Sequence, residues 1–309
     1  MFFGVYKAEL YKIIKSYRFK IVLLVILACS TYNIVNAYKK FPQYNCIYEQ
    51  NKKDYINKID EYEKDLHELN NEIDIYISKS ILDFYKNHFA VEPKQDFSQG
   101  MAEAIFNDTY WLPLLLLFCA DIVCFEKTRN ITKVQFATGT SRVKLYYSKY
   151  MAMLSAMLIV FSVNLIFSFI FSGYLMGFSD LSSSIRSVLC YSMATVERSV
   201  IDTFIIKSVL TILILASAAV LFLVVSTLVQ DVVTSYIISV LLVTNSWSFY
   251  NAFGNGTGIF RYFFISFYSG IDLYFYGQPI YSIKVGVISM VVQSILLYFF
   301  GYHFYKRIE

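Results

Sequence analysis

Three histidines, His67, His88 and His303, and five cysteines, Cys29, Cys46, Cys119, Cys124 and Cys190, are the side chains of this 309-residue chain best suited to bind a metal or attack a substrate. Their spacing supports neither. A metal site needs ligands a few residues apart, and a nucleophile needs a base within reach. The histidines are scattered without an H-E-x-x-H pair, the cysteines show no metal-ligand spacing, and three of them fall within apolar runs. Cys46 and Cys190 lie outside such runs, and unpaired thiols are their expected state. Gly254-Asn255-Gly256-Thr257-Gly258 is rich in glycine, but no strand precedes it and no Lys-Ser/Thr pair follows, so it does not read as a phosphate loop. No Gly-x4-Gly-Lys-Ser/Thr motif occurs anywhere in the chain. The expectation is a chain with no catalytic residues, no metal and no cofactor of its own. One acid remains notable: Asp121 stands near the end of an otherwise apolar run, where an ionisable group is a functional candidate or, failing that, an interfacial partner for Lys127.

The elements that would position any site are mostly apolar. Mean hydropathy is +0.49 and charged residues make up 16%, well below the quarter usual for a soluble domain. A helix needs about 20 apolar residues to cross a bilayer, and only helices or closed barrels satisfy their backbone there. The runs at 21–38, 105–125, 148–177, 208–229, 232–249 and 284–305 predict six transmembrane helices, with Asp231 as a tight turn between the fourth and fifth. Thirteen Lys and Arg fall in the segments assigned to one side (1–20, 126–147 and its edge, 306–309), against five in the short loops opposite. The positive-inside bias therefore predicts cytoplasmic N- and C-termini. The fold class is an all-α integral membrane protein.

Three further segments have their own character. Residues 1–20 space Phe3, Tyr6, Leu10, Ile13 and Tyr17 by three and four, with Lys12 and Lys15 on other faces and Glu9 on the flank; this predicts an amphipathic helix at the lipid surface, retained rather than cleaved. The 39–104 segment carries nine Lys and thirteen Asp or Glu, which predicts a solvated extracellular helical domain with its helix at about 51–89. Tyr55, Ile59, Tyr62, Leu66, Leu69, Ile73 and Tyr76 recur at the alternating four-three spacing of a packing seam. That seam suits packing on the rest of the protein, a dimer contact or a substrate contact equally. Residues 250–283, with 178–207 as the other outer loop, are dense in Phe and Tyr and broken by glycines, as expected of short re-entrant or interfacial aromatic helices.

The cytoplasmic stretch 126–147 is short, basic and ordered. A charged pair leaves the membrane, a short helix follows, and Thr140 or Ser141 is placed to cap a helix whose first turns carry Arg142, Lys144 and Lys149. A rigid helix held just below the bilayer can be pushed by a soluble partner.

In this stretch the chain resembles the permease subunit of the type-2 ATP-binding-cassette (ABC) exporter family. Glu126, Thr132, Ser141, Arg142, Ser148 and Lys149 match the family's pattern of Glu, coupling segment, Ser-Arg and Ser-Lys after the second span. Asn130-Ile131 and Gly139-Thr140 depart from its usual glycine turn and proline. The amphipathic first helix, the six spans and the basic end are also similar, while the large 39–104 segment resembles a bacterial subgroup with an extracellular helical domain. The resemblance implies a bacterial plasma-membrane protein that pairs with a second permease, identical or homologous. It also implies two copies of a separate cytoplasmic ATPase, which carries ATP and Mg and docks on Glu126, Lys127, Arg129, Asn130, Thr132, Val134, Phe136, Thr138, Ser141, Arg142 and Lys149. In that scheme Arg142 and Lys149 anchor the segment at the lipid surface, and the export substrate is a hydrophobic or amphipathic peptide, antibiotic or lipid-like compound. Besides membrane lipid, no nucleic-acid partner is expected. Two other classes remain open from the residues themselves: a membrane sensor or assembly protein binding a peptide through its outer helix, and a secondary transporter, for which no internal repeat is visible.

Overall fold

The computed structural model describes residues 2–68, 94–106, 111–120, 122–129, 131, 141–188, 198–229, 231–244 and 283–307. Among these residues the fold is all-helical. In chain order the helices are α1 (Phe2–Lys15), α2 (Tyr17–Glu68), α3 (Phe97–Met101, continued by a wider turn over Ala102–Phe106), α4 (Trp111–Cys119), α5 (Cys124–Thr128), α6 (Arg142–Met176), α7 (Val200–Leu228), α8 (Val232–Thr244) and α9 (Ile283–Tyr305). Four stretches are long and apolar enough to cross a membrane: Tyr17–Asp54 of α2, α6, α7 and α9. Of the two other expected spans, α8 is a shorter apolar helix and 105–125 is interrupted.

The first departure from the sequence reading is the length of α2. A span at 21–38 and a separate outer helix from about 51 were expected, yet the chain runs as one 52-residue helix through Pro42. At about 1.5 Å per residue such a helix is roughly 78 Å long, far beyond a hydrocarbon core of about 30 Å. Proline has no N–H to give the carbonyl four residues back. Here that carbonyl belongs to Tyr38, and the side chain of Gln95 donates to it instead, at 2.9 Å. Seam positions Tyr55, Ile59, Tyr62 and Leu66 fall on this helix, whereas Leu69, Ile73 and Tyr76 lie outside the described residues, as do the aromatic segment 245–282 and Cys190.

The second departure is the break after α4. An unbroken helix over 105–125 would satisfy its own backbone; among the described residues Ala120, Ile122 and Val123 are turns instead of helix, and neighbouring helices supply partners on either side. Ser226 of α7 accepts from the backbone N–H groups of Val123 and Cys124, both at 3.0 Å. From α8, the Ser235 hydroxyl donates to the carbonyl of Ala120 and the Tyr236 hydroxyl to that of Leu117, the latter at 3.0 Å. Arg18 donates in turn to the Tyr236 oxygen at 2.8 Å. Broken helices survive in lipid only with such substitutes. Asp121 lies outside the described residues.

Packing centres on α6 and α7. Along α6, Ser148, Ala152, Ala156, Val160, Asn164, Ser168 and Ser172 are buried at a spacing of four residues. Small residues let helices approach closely where lipid provides no hydrophobic drive for association. The Ser30 hydroxyl of α2 donates to the Asn164 side-chain oxygen at 2.8 Å. Gly100 of α3 fits against Ser172, where a Cβ would clash. Asp96 caps α3 by accepting from the Ser98 N–H at 3.0 Å and from the Ser179 hydroxyl at 2.6 Å, which ties α3 to the loop after α6. The opposite face of the bundle belongs to α9, which buries Gly286, Met290, Gly301 and Tyr305 and leaves its other faces open.

Candidate functional site

Four charges meet where α1, α5 and α6 converge. Lys149, on the third turn of α6, is fully buried, and its ammonium donates to Glu9 of α1 at 3.2 Å and to Glu126 of α5. Lys12, one turn beyond Glu9, donates to the second oxygens of the same two carboxylates, at 2.9 and 3.0 Å. Each lysine thus bridges both glutamates. The result is a closed, alternating ring of two positive and two negative groups with no net charge. Glu9 and Glu126 are buried, and only Lys12 reaches the surface, its side chain about half exposed.

For Glu9 and Lys12, pairing outweighs burial. Burial pushes the Glu9 carboxyl up, but Lys149 and Lys12 outweigh it and hold Glu9 below its ordinary value of 4.5. Burial likewise pulls Lys12 down, and Glu9 with Glu126 overcomes it, leaving Lys12 above its ordinary 10.5. Taking two carboxylates and an ammonium out of water is costly, and only mutual pairing of this completeness makes it tolerable. Beside the ring opens a cavity of about 540 Å³, walled by Ile13, Ser16 and Arg18 on one side and by Phe118, Ile122 and Phe125 on the other.

This geometry corrects two expectations. Lys149 was expected at the lipid surface; it lies in the interior, because the two glutamates offer its ammonium better partners than water at that depth. The first helix was expected to lie on lipid by its Phe3-to-Tyr17 stripe. Instead Tyr6, Leu10 and Ile13 turn onto the protein with Glu9, and Phe3 and Tyr17 face out. Tyr6 shares a hydrogen bond with Ser155 of α6 at 2.9 Å, and the Phe2 ring meets Tyr147 at 5.4 Å. α1 is therefore clamped along the start of α6. Glu9 and Lys12 were missed as partners of Glu126 and Lys149, although one signal existed: Glu9 is the only acid among the first 48 residues, set beside an apolar stripe in a run of lysines.

The other anticipated residues divide. Lys127 is partly buried, while Arg129 lies over the Phe125 ring at 4.3 Å. Ser141 is the residue before α6 but makes no side-chain cap. Arg142 reaches across to donate to the backbone carbonyl of Lys306, just past α9. Close by, the Tyr146 ring packs on Tyr298, Tyr302 and Tyr305 at 5.2, 5.8 and 4.9 Å. So the two ends of the segment are fixed differently: Glu126 to the charge ring, Arg142 to the end of α9. Asn130, Thr132, Val134, Phe136 and Thr138 lie outside the described residues. No group of three His, Cys, Asp or Glu is placed to hold a metal among the described residues.

Among the described residues, four helices long and apolar enough to span a bilayer mark the chain as a helical membrane protein. The chain matches no family model, no curated protein and no solved structure.

Proposed function

We propose that this chain is the transmembrane permease subunit of an ATP-driven exporter of the type-2 ABC class in a bacterial plasma membrane. In this reading it has six spans and cytoplasmic termini, and it works as a pair with a second permease, above two copies of a separate ATPase that binds ATP and Mg. The observation that carries the reading is the charge ring. It fuses α1, α5 and the start of α6 into one joint at the two edges of the 126–147 segment, through Glu126 on one side and Lys149 on the other. A push delivered to the segment between them would reach α6 and α1 as a rigid displacement instead of being absorbed by a soft loop. Arg142 adds a second lever arm toward α9. The substrate in this reading is a hydrophobic or amphipathic compound leaving the cell.

The test is purification of the tagged chain from its native membranes in a mild detergent. A stoichiometric ATPase subunit carrying a Walker A loop supports the reading, and replacing Glu126 and Arg142 together should release it or uncouple substrate-stimulated hydrolysis. Recovery of the chain without any ATPase, or full coupling in the double variant, overturns it. The length of α2 favours a second reading, a sensor or assembly protein whose projecting helix binds a peptide. That alternative requires the chain to bind its ligand with no ATPase attached.

A further inference from the structure

Near the charge ring, but on the opposite side of α6, the chain builds an aromatic cavity that the coupling scheme does not use. It has a volume of about 300 Å³ and lies between α6, α7 and α9. Tyr147 and Tyr150 enter from α6, Tyr298 and Phe299 from α9, and Val220 and Ser294 close the floor. The Tyr150 and Tyr298 rings stand nearly edge to face, 67° apart with centroids at 5.7 Å; Tyr147 approaches Tyr150 at 6.5 Å, and Phe299 approaches Tyr298 at 6.1 Å. Such an arrangement lines the space with both ring faces and edges. None of the described residues lining it is charged. Its mouth runs out past Ile295 and Phe299, which are half or more exposed on the outer face of α9.

Tyrosines are common at headgroup depth, and a ring of them around a bundle needs no ligand. Here they converge inward on a cavity from two helices. The contrast along α9 also matters. Its exposed positions nearer the start are aliphatic, Val285, Ile288, Val291 and Val292, which is all an acyl chain requires. The aromatic residues of α9 begin only at Tyr298, where the helix reaches the cavity. The face of an aromatic ring attracts a cation, most strongly where water is excluded, and a pocket of several rings without a carboxylate suits a bulky, weakly hydrated organic cation better than a metal ion or a lysine. A volume of this size is at the lower end for small-molecule sites and holds a compact head.

We propose that this cavity binds the cationic head of an amphipathic organic cation, a quaternary ammonium or alkylated amine, with its tail laid along the exposed face of α9. As the identity of an export substrate the proposal rests on the reading above; as a binding site it does not. On the proposed topology the mouth opens at the cytoplasmic leaflet, where such a compound would arrive by partitioning.

The experiment is equilibrium binding of radiolabelled dodecyltrimethylammonium to the chain in nanodiscs, with empty nanodiscs subtracted and the neutral carbon isostere 2,2-dimethyltetradecane as competitor. Saturable binding that the isostere fails to displace is expected. The Tyr150→Phe/Tyr298→Phe pair, which keeps the rings, should bind within about twofold of the parent, and the Tyr150→Leu/Tyr298→Leu pair should bind roughly tenfold or more weakly. Tyr147→Leu, at a ring 42% exposed, should weaken binding in the same direction. Equal displacement by the isostere, unchanged binding in the Leu variants, or loss of binding in the Phe pair overturns the proposal. The assay contains no ATPase, so its failure leaves the exporter reading standing, and loss of the ATPase in co-purification leaves this site standing.

Discussion

Replacing Lys149 with methionine keeps the length and most of the volume of the side chain and removes one charge from the ring. Glu9 and Glu126 would then face each other with only Lys12 between them, half exposed and able to compensate one carboxylate. Removing one member of a buried ion pair costs about 3–5 kcal/mol, since the partner is left charged and unsolvated. At roughly 2 °C per kcal/mol for a chain of this size, the apparent melting temperature should fall by roughly 6–10 °C. Glu126→Gln leaves the opposite imbalance, with a net positive ring and an amide that still accepts from a lysine, so a loss of about 2–3 kcal/mol is expected. The double variant Lys149→Met/Glu126→Gln is neutral again, as Lys12 then pairs with Glu9 alone. Its loss should therefore be smaller than the sum of the two by about 2 kcal/mol or more. The assay is thermal challenge of the fluorescently tagged protein in detergent, read by size-exclusion chromatography. Strictly additive losses, or a shift below about 2 °C for Lys149→Met, would refute a closed ring of mutually dependent charges.

Three more outcomes follow from the same structure. Glu9 is held below its ordinary value, so its contribution to stability is complete above pH 4.5 and is lost as the pH falls through the lower folded-state value; apparent melting temperature should be level near neutrality, decline below about pH 4.5, and decline less in Glu9→Gln. Ser226→Ala strands the Val123 and Cys124 N–H groups in a buried place and should cost about 1–3 kcal/mol in the same thermal assay, whereas Ser226→Thr, which keeps the hydroxyl, should cost less. Pro42→Ala restores a donor to the Tyr38 carbonyl and should stabilise α2 by up to about 3 kcal/mol, after which Gln95→Ala should become silent. A Gln95→Ala effect that persists in that background would mean the side chain does something other than replace the missing N–H.

What the sequence made legible was whatever depends on composition over a window. The apolar runs behind α2, α6, α7 and α9 stand out because lipid demands about 20 such residues whatever the neighbours are. The breaks were harder to see, for opposite reasons. A boundary was expected between residues 38 and 51 where the helix in fact continues through Pro42, since a distant glutamine replaces the lost bond. The 120–123 stretch has no proline or glycine to suggest one, and it opens because hydroxyls of Ser226, Ser235 and Tyr236, each 100 residues or more away in sequence, take over its backbone. Glu126 and Lys149, both named from the pattern, meet in the structure, whereas Arg142 turns to the end of α9, and pattern alone could not tell a lysine that snorkels to lipid from one that turns inward. That choice depends on Glu9 and on where α1 lies.

The ring also constrains how the joint could move. An alternating square of charges has no soft direction: sliding α1 along α6 by a few ångströms carries Glu9 away from Lys149 and Lys12 away from Glu126 together, leaving each of the four groups with one partner instead of two. Intermediate positions are therefore costly, and the favoured displacements carry α1, α5 and the start of α6 together. On the opposite side the Tyr146 ring sits in a nest of Tyr298, Tyr302 and Tyr305, contacts that are apolar, graded and tolerant of small rotations. A block that is rigid toward α1 and compliant toward α9 sends motion applied at 126–147 into the α6–α9 contact. That contact is where the aromatic cavity opens, so dodecyltrimethylammonium binding in nanodiscs should be weakened more by Lys149→Met than by a substitution of equal stability cost on α2.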